Sequence, residues 1–168
     1  MNQYKSFQSE RLIIIPTLEQ DAELIYQLMN SPKFIKYVGD RQLYSLEDAQ
    51  KYIQDIMLPQ LHSLGYSNYS LINKKNGAKI GICGLYDREG LDGIDIGFGI
   101  LPEYEGLGYA FESSSRIIKA GFEELEIQDI KAITNKENIS SQRLLFKLKG
   151  TIMLPNENDE LLLYNFKK

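Results

Sequence analysis

Hydrophobic and polar residues alternate in two rhythms along this 168-residue chain. A period of two, or a short run of β-branched and aromatic residues, predicts seven strands. They span residues 11–15, 66–73, 78–86, 94–100, 129–134, 150–154 and 160–166. Apolar residues at helical spacing predict four helices, over residues 17–31, 45–59, 109–125 and 138–149.

Local signals set the boundaries of these elements. Residues 17–20 and 45–48 have the form of capping boxes and place helix N-termini there. Pro59 is predicted to end or kink the second helix, and Gly150 to be the left-handed residue after the last helix. The dipeptide Asn76-Gly77 predicts a hairpin between the second and third strands.

The predicted order is strand, two helices, three strands, helix, strand, helix and two strands. This order does not fit a regular alternation of strands and helices, and it predicts a mixed α/β fold. A chain of this length usually forms one domain and can bury a sizeable core. We therefore expect a single domain over residues 1–168.

Composition narrows the class of partner. The net charge is −4, the pI is near 5.1, and no run of Lys or Arg stands out, so we expect no nucleic-acid partner. The single cysteine, Cys83, excludes an internal disulfide framework and is consistent with a reducing compartment. We find no signal peptide and no apolar stretch of about 18 residues. We therefore expect a cytoplasmic protein with no membrane partner and no metal.

The most informative stretch covers residues 94–110. Its strand places apolar side chains on one face (Ile94, Ile96, Phe98, Ile100) and a carboxylate with two glycines on the other (Asp95, Gly97, Gly99). Pro102 ends this strand. Gly106 and Gly108 then expose the backbone where a helix begins, at the positive end of the helix dipole. Unpaired N–H groups in that position suit a phosphate.

Two well-known glycine loops are excluded here. A P-loop continues with Lys and Ser or Thr, whereas Tyr109 and Ala110 follow Gly108. A dinucleotide-binding fingerprint requires Gly or Ala three residues after Gly108, where this chain has Phe111. The alternative to a phosphate site is a tight strand-to-helix connection that binds nothing.

Three segments carry a resemblance to a known family. They are Ser9-Glu10-Arg11-Leu12 with Pro16, the stretch from Asp95 through Glu112, and Asn138-Ile139-Ser140-Ser141 with Leu144. With the order of elements, they resemble the GNAT acetyltransferase superfamily, in the branch that contains the ribosomal-protein N-terminal acetyltransferases. The resemblance implies a central, mostly antiparallel seven-stranded sheet with helices on both faces. It also implies that the fourth and fifth strands splay apart.

The resemblance implies transfer of an acetyl group from acetyl-CoA to an amine. The diphosphate is then expected on the backbone N–H groups of Leu107, Gly108, Tyr109 and Ala110, and Gly106 also belongs to this cofactor-binding loop. The pantetheine is expected along the strand edge near Gly99, Ile100 and Leu101, as a peptide adds to a sheet. Asn138 and Ser141 are further candidate ligands, with N-capping as the alternative role of Asn138.

The acid–base residues remain open among a few candidates. Asp95 is the first candidate for the base, directly or through water, with a solvated carboxylate as the alternative. Glu112 is the second, with favourable placement at a helix N-terminus as its alternative. Leu145 occupies the position of the superfamily's general-acid tyrosine, which leaves Ser141 as the hydroxyl that protonates the thiolate. Glu105 replaces the Arg or Gln of many members, so we expect it to turn away from the phosphates.

We therefore expect an N-acetyltransferase that works by direct attack in a ternary complex. The acceptor is expected to be a primary amine of a protein N-terminus, a polyamine or another small molecule, and the protein a monomer or homodimer. One alternative is a non-catalytic coenzyme A-binding sensor or subunit, which Glu105 and the missing tyrosine favour. A nucleotide-phosphate binder on an α/β scaffold is a weaker alternative.

Overall fold

The computed structural model describes residues 4–153 and 160–168, and one eight-stranded sheet runs through them. The strands are Phe7–Gln8 (β1), Leu12–Pro16 (β2), Asn68–Asn73 (β3), Lys79–Asp87 (β4), Ile94–Ile100 (β5), Ile130–Asn135 (β6), Thr151–Ile152 (β7) and Leu161–Phe166 (β8). Their spatial order is β1-β2-β3-β4-β5-β6-β8-β7. Every neighbouring pair is antiparallel except β5 and β6.

Six α-helices lie among the described residues. They are Ala22–Met29 (α1), Pro32–Tyr37 (α2), Leu46–Tyr52 (α3), Leu58–Leu64 (α4), Tyr109–Glu123 (α5) and Ile139–Lys147 (α6). A π-helical turn, Ile53–Met57, joins α3 to α4. Short 3₁₀ turns precede α1 (Glu19–Asp21) and follow β5 (Pro102–Tyr104).

The parallel pair β5 and β6 parts soon after it begins. Its register contains only the pairs Ile94–Ile130 and Asp95–Lys131. On its other side β5 pairs with β4 along its whole length, from Asp87–Ile94 to Gly81–Ile100. Among the described residues, the remainder of β5 therefore keeps one unpaired edge, and this edge faces β6.

Each face of the sheet buries its own apolar cluster. On one face, Ile117 and Ala120 of α5 join side chains of the central strands, including Ile96. On the other face, Ile25 and Leu28 of α1 pack with α3 and the sheet. The two faces of β5 divide as the alternation predicts. Its apolar residues (Ile94, Ile96, Phe98, Ile100) belong to the α5 side, and Gly99 faces Leu28 of α1.

The mixed sheet, the helices on both of its faces and the separation of the predicted fourth strand from the fifth match the expectation. The sheet has eight strands rather than seven because β1 contains two residues, too few to carry a pattern. The predicted fourth and fifth strands are therefore β5 and β6. The short helix α2 also lacks a readable apolar stripe, since none of its residues is buried. Leu154, the predicted end of the sixth strand, lies outside the described residues.

Three boundary predictions need correction. Thr17 does not cap a helix, because its hydroxyl bonds Ser70 at 2.9 Å and accepts from Asn68 at 2.8 Å. Pro59 does not end the second helical segment, because it lies in the first turn of α4, directly after the π-helical turn, and a kink there stays a prediction. Lys149, with φ 66°, takes the left-handed position predicted for Gly150. Within the described ranges no helix is long and apolar enough to span a bilayer.

Candidate functional site

The connection from β5 to α5, residues 101–108, is here called the glycine loop. Gly106 and Gly108 have φ values of 73° and 85°, in the left-handed region that disfavours residues with a Cβ. A Cβ on Gly106 would meet no atom within 4 Å, so the loop surface is open at that point. Gly108 is the residue that precedes α5, and the helix starts at Tyr109.

The start of α5 presents unused hydrogen-bond donors. The first helical hydrogen bond runs from the N–H of Glu112 to the carbonyl of Gly108, at 3.0 Å. In residues 4–153 and 160–168 we find no acceptor for the N–H groups just before it (Leu107, Gly108, Tyr109, Ala110). Such donors, aligned with a fifteen-residue helix, form an anion-binding end.

Arg11, from the turn before β2, braces this end of α5. Its Nη1 donates to the carbonyl of Leu107 at 3.0 Å, and its guanidinium lies 4.3 Å from the ring centroid of Tyr109. Its Nε and backbone N–H each donate to the carboxylate of Glu112 at 2.7 Å. Ser9 donates a further hydrogen bond to that carboxylate at 2.6 Å. The N-terminal hairpin is thereby tied to the glycine loop.

The carboxylate of Glu112 therefore accepts three hydrogen bonds. Burial alone would raise the pKa of this carboxyl, but the hydrogen bonds from Ser9 and Arg11 and the charge of Arg11 outweigh it and lower the pKa. These contacts favour the structural role of Glu112 over a role as base.

Glu105, inside the glycine loop, faces α2. Its carboxylate pairs with Lys33 at 2.5 Å, and both side chains are partly exposed. The carboxylate is thus engaged by a cation of α2, and its turning away from the phosphates stays a prediction.

The free edge of β5 presents main-chain groups toward β6. Ile94 donates its N–H to Asp129, on the β6 side, whereas Leu101 donates to Ile80, on the β4 side. Because successive N–H groups point to opposite sides of a strand, those of Phe98 and Ile100 face the gap. Of the three residues predicted to bind pantetheine, Ile100 therefore offers its N–H there, and the N–H of Gly99 points toward β4.

Asp95 lies where β5 and β6 part. The residue is 2 % exposed, and its Oδ2 accepts hydrogen bonds from Arg88, at 3.0 Å from Nε and 2.7 Å from Nη2. Burial raises the pKa of Asp95, and the charge and hydrogen bonds of Arg88 and the N–H of Ile133 oppose the rise. Its Oδ1 is buried and makes no hydrogen bond of normal geometry within the described residues.

Tyr86 lies on the same face of the sheet as Asp95. It is the cross-strand partner of Asp95, and its hydroxyl donates to Asn68. Asn68 in turn donates to Thr17, which bonds Ser70. A chain of hydrogen-bonded polar side chains therefore leads away from the region of Asp95, from the half-buried Tyr86 to the buried Asn68, Thr17 and Ser70.

The start of α6 carries the remaining predicted residues. Asn138 caps the helix, because its Oδ1 accepts from the N–H of Ser141 at 3.2 Å and from Ser140 Oγ at 3.0 Å. Ser141 is half-buried, and its hydroxyl makes no hydrogen bond in the described part of the chain. Leu145 is buried in the core with α5, so no polar group replaces the family's tyrosine at that position.

Cys83 is fully buried, and burial raises the pKa of its thiol to about 12. A thiol in that state is protonated and unreactive near neutral pH. Among the described residues no three His, Cys, Asp or Glu side chains lie close enough together to hold a metal ion.

Sequence reasoning did not assign roles to Arg11, Arg88 and Tyr86. Arg11 stood inside a segment already matched to the family, but only the fold brings it to Glu112. Arg88 follows β4 in the turn before β5, and the pairing of β4 with β5 brings Tyr86 opposite Asp95.

Comparison with known proteins agrees with this geometry. Residues 11–151 match the family model described as an acetyltransferase (GNAT) domain. The uncharacterized N-acetyltransferase p20 of Bacillus licheniformis is 30% identical over 143 residues, which are 83% of this chain and 79% of that protein. The uncharacterized N-acetyltransferase YoaA of Bacillus subtilis (strain 168) is 28% identical over 142 residues, 84% of this chain and 80% of that protein.

Solved structures share the fold. An acetyltransferase from Agrobacterium tumefaciens str. C58 superposes with a TM-score of 0.84 at 22% identity, over 100% of this chain and 97% of that one. The ribosomal-protein-S5-alanine acetyltransferase from Vibrio fischeri superposes with a TM-score of 0.78 at 17% identity, over 97% and 96% of the two chains. The chain therefore belongs to the GNAT acetyltransferase family.

Proposed function

We propose that this protein transfers the acetyl group of acetyl-CoA to a primary amine by direct attack in a ternary complex. The observation that carries the proposal is that two sets of main-chain groups have no hydrogen-bond partner among the described residues. One is the N–H cluster at the start of α5, and the other is the free edge of β5. Acetyl-CoA supplies the activated acetyl group, a diphosphate and an extended amide chain, which match these two sets.

The residues present fit the diphosphate. Four N–H groups (Leu107, Gly108, Tyr109, Ala110) would hold it at the positive end of the α5 dipole. The nearby carboxylates do not oppose it strongly, since Glu105 is paired with Lys33 and Glu112 with Arg11. The left-handed backbone at Gly106 and Gly108 keeps side chains away from the anion.

The residues of β5 fit the amide chain. Phe98 and Ile100 direct main-chain groups into the gap toward β6, and an extended ligand there would extend the sheet as an added strand. One of these N–H groups would also polarise the thioester carbonyl as negative charge develops on its oxygen. Asn138, at the start of α6, keeps its Nδ2 free for a ligand amide, since capping uses only Oδ1.

Asp95 is the base we favour. A protonated amine must lose a proton before it attacks, and a carboxylate with a raised pKa is better matched to that task. Arg88 is half exposed and binds only Oδ2, which leaves the buried Oδ1 without a hydrogen-bond partner among the described residues. Ser141 is our candidate for the acid that protonates the leaving thiolate, because its hydroxyl has no hydrogen-bond partner in residues 4–153 and 160–168. The protonated, buried Cys83 supports a mechanism without an acyl-enzyme.

The acceptor is proposed as a class. One fold relative is named for the acetylation of an alanine of a ribosomal protein, so a protein or peptide N-terminus belongs on the test panel beside polyamines and other small amines. A buried carboxylate at the parted strands favours a cationic amine in each case.

An amine panel with free-thiol detection tests the proposal. Wild-type protein is expected to release coenzyme A thiol with at least one amine. Asp95→Asn and Ser141→Ala are expected to lower kcat about 100-fold each, and the coenzyme A affinity of Asp95→Asn should stay within about twofold of wild type. Full activity of both variants would contradict the catalytic assignments.

The same experiment separates the second candidate function. A non-catalytic coenzyme A sensor is favoured by Leu145, which fills the position of the family's acid with a buried apolar side chain. That alternative predicts a raised melting temperature with coenzyme A but no thiol release from any amine. If acetyl-CoA does not stabilise the protein and ATP does, both proposals fail.

A further inference from the structure

We propose that Arg11 is a phosphate-binding and positioning residue for the donor, and this inference rests on the proposed function. The glycine loop, with Glu103 and Glu105, contains no cation of its own, and Glu112 follows in the first turn of α5. A polyanion that approaches the start of α5 therefore needs a cation from elsewhere in the fold. Arg11 supplies one from the turn before β2.

The contacts of Arg11 define the positioning role. Nη1 holds the carbonyl of Leu107, and the guanidinium lies against the ring of Tyr109. Nε and the backbone N–H fix Glu112. Arg11 thus contacts the loop just before the helix and residues in its first turn, which orients the N–H groups between them.

The remaining nitrogen of Arg11 defines the binding role. In the part of the chain that the structure describes, Nη2 makes no hydrogen bond. It lies beside Gly108, since a Cβ built on Gly108 would be 3.3 Å from it. Gly108 is one of the residues whose N–H is unused. A charged donor therefore lies beside a residue whose N–H is unused among the described residues, and phosphate oxygens prefer such pairs of donors.

The surroundings of Arg11 agree with an anion site. An open cavity of about 740 Å³ adjoins Arg11 and Gly108, and Arg116, Lys119 and Lys147 also line it. Two carboxylates line this cavity, Glu10 and Glu112, and Glu112 is already bonded to three hydrogen-bond donors. Arg11 keeps 42 % of its side chain exposed, so a ligand can reach it.

The test compares coenzyme A with pantetheine, which lacks the phosphates, by NMR titration of wild type, Arg11→Gln, Arg11→Lys and Arg41→Ala. Arg41 is an exposed arginine outside the site and serves as the matched loss of charge. We expect Arg11→Gln to weaken coenzyme A binding about tenfold or more and to leave pantetheine binding within about twofold. Arg11→Lys keeps the charge but not the planar guanidinium with its several donors. Its coenzyme A affinity should therefore lie between those of wild type and Arg11→Gln.

The salt dependence of coenzyme A binding distinguishes the loss of a charge contact from a structural distortion of the glycine loop. The loss caused by Arg11→Gln should shrink toward high ionic strength, because a charge contact is screened there. Equal losses for both ligands, a loss that does not change with salt, or an affinity like that of Arg41→Ala would overturn the inference. If Arg11→Gln does not fold, Arg11→Lys decides by the same criteria. Failure of wild type to bind coenzyme A would instead contradict the proposed function.

Discussion

The ring of Tyr86 lies over Gly97, its neighbour across β4 and β5. A Cβ on Gly97 would come within 2.9 Å of Tyr86 Cε2, closer than real side chains approach. The ring cannot move away without breaking the hydrogen bond from its hydroxyl to the buried Asn68. Gly97 is therefore required by the packing of an aromatic ring beside Asp95.

Gly97→Ala is expected to destabilise the fold by about 1–3 kcal/mol through overpacking. Urea denaturation measures the loss of unfolding free energy. The matched test is a double-mutant cycle with Tyr86→Ala. If the ring is the cause, Gly97→Ala should cost less than about 0.5 kcal/mol in the Tyr86→Ala background. An equal cost in both backgrounds would contradict the packing argument.

Arg88→Met is expected to lower stability, and by more as the pH rises. The pKa of Asp95 is raised in the folded protein, so its ionisation costs stability as the pH passes from the unfolded value of 3.8 through the folded value. Without Arg88 the buried carboxylate keeps no cation, and about 2 kcal/mol should be lost at neutral pH. Asp95→Asn should instead be neutral or stabilising there, since Arg88 is half exposed.

Urea denaturation of both variants from pH 3.5 to 8 checks this prediction. The wild-type and Arg88→Met curves should converge at the acid end and separate toward neutrality. A constant difference across that range would mean that Arg88 acts by packing and not through the charge of Asp95.

Glu112 is expected to give the opposite dependence on pH. Its pKa is lowered in the folded protein, so its contribution to stability is present above the unfolded value of 4.5 and is lost as the pH falls through the folded value. Glu112→Gln should therefore reduce the acid-induced loss of stability between about pH 5 and pH 2. Chemical denaturation at pH 3 and pH 7 measures it, and an acid-induced loss as large as that of wild type would contradict the assignment.

The ion pair between Lys33 and Glu105 is expected to tune donor affinity. Lys33→Met leaves an unpaired carboxylate beside the phosphates and should weaken coenzyme A binding about threefold at low salt, whereas Glu105→Gln should strengthen it by a similar factor. Both effects should fade at about 0.5 M salt. Lys51→Met, which breaks a comparable pair between Lys51 of α3 and Asp55 of the π-helical turn, is the control and should change nothing. Calorimetric titration decides, and equal effects of the two lysine variants would refute this role.

Features set by neighbouring residues could be predicted from the sequence, whereas contacts between distant residues could not. The face of β5 and the start of α5 were predicted because alternation and glycine spacing are local. The tie between Arg11 and Glu112 joins residues 101 positions apart, and no local signal contains it. Thr17 failed as a helix cap for the same reason, since its hydroxyl is taken by Asn68 and Ser70 from a distant strand.

The central claim is that the start of α5 and the free edge of β5 hold the acetyl donor, and amide NMR shifts during coenzyme A titration test it most directly. The account predicts the largest shifts at the N–H groups of Gly108, Tyr109 and Ala110, with further shifts at Phe98 and Ile100. Saturable shifts confined to other elements, with these five amides unmoved, would contradict it.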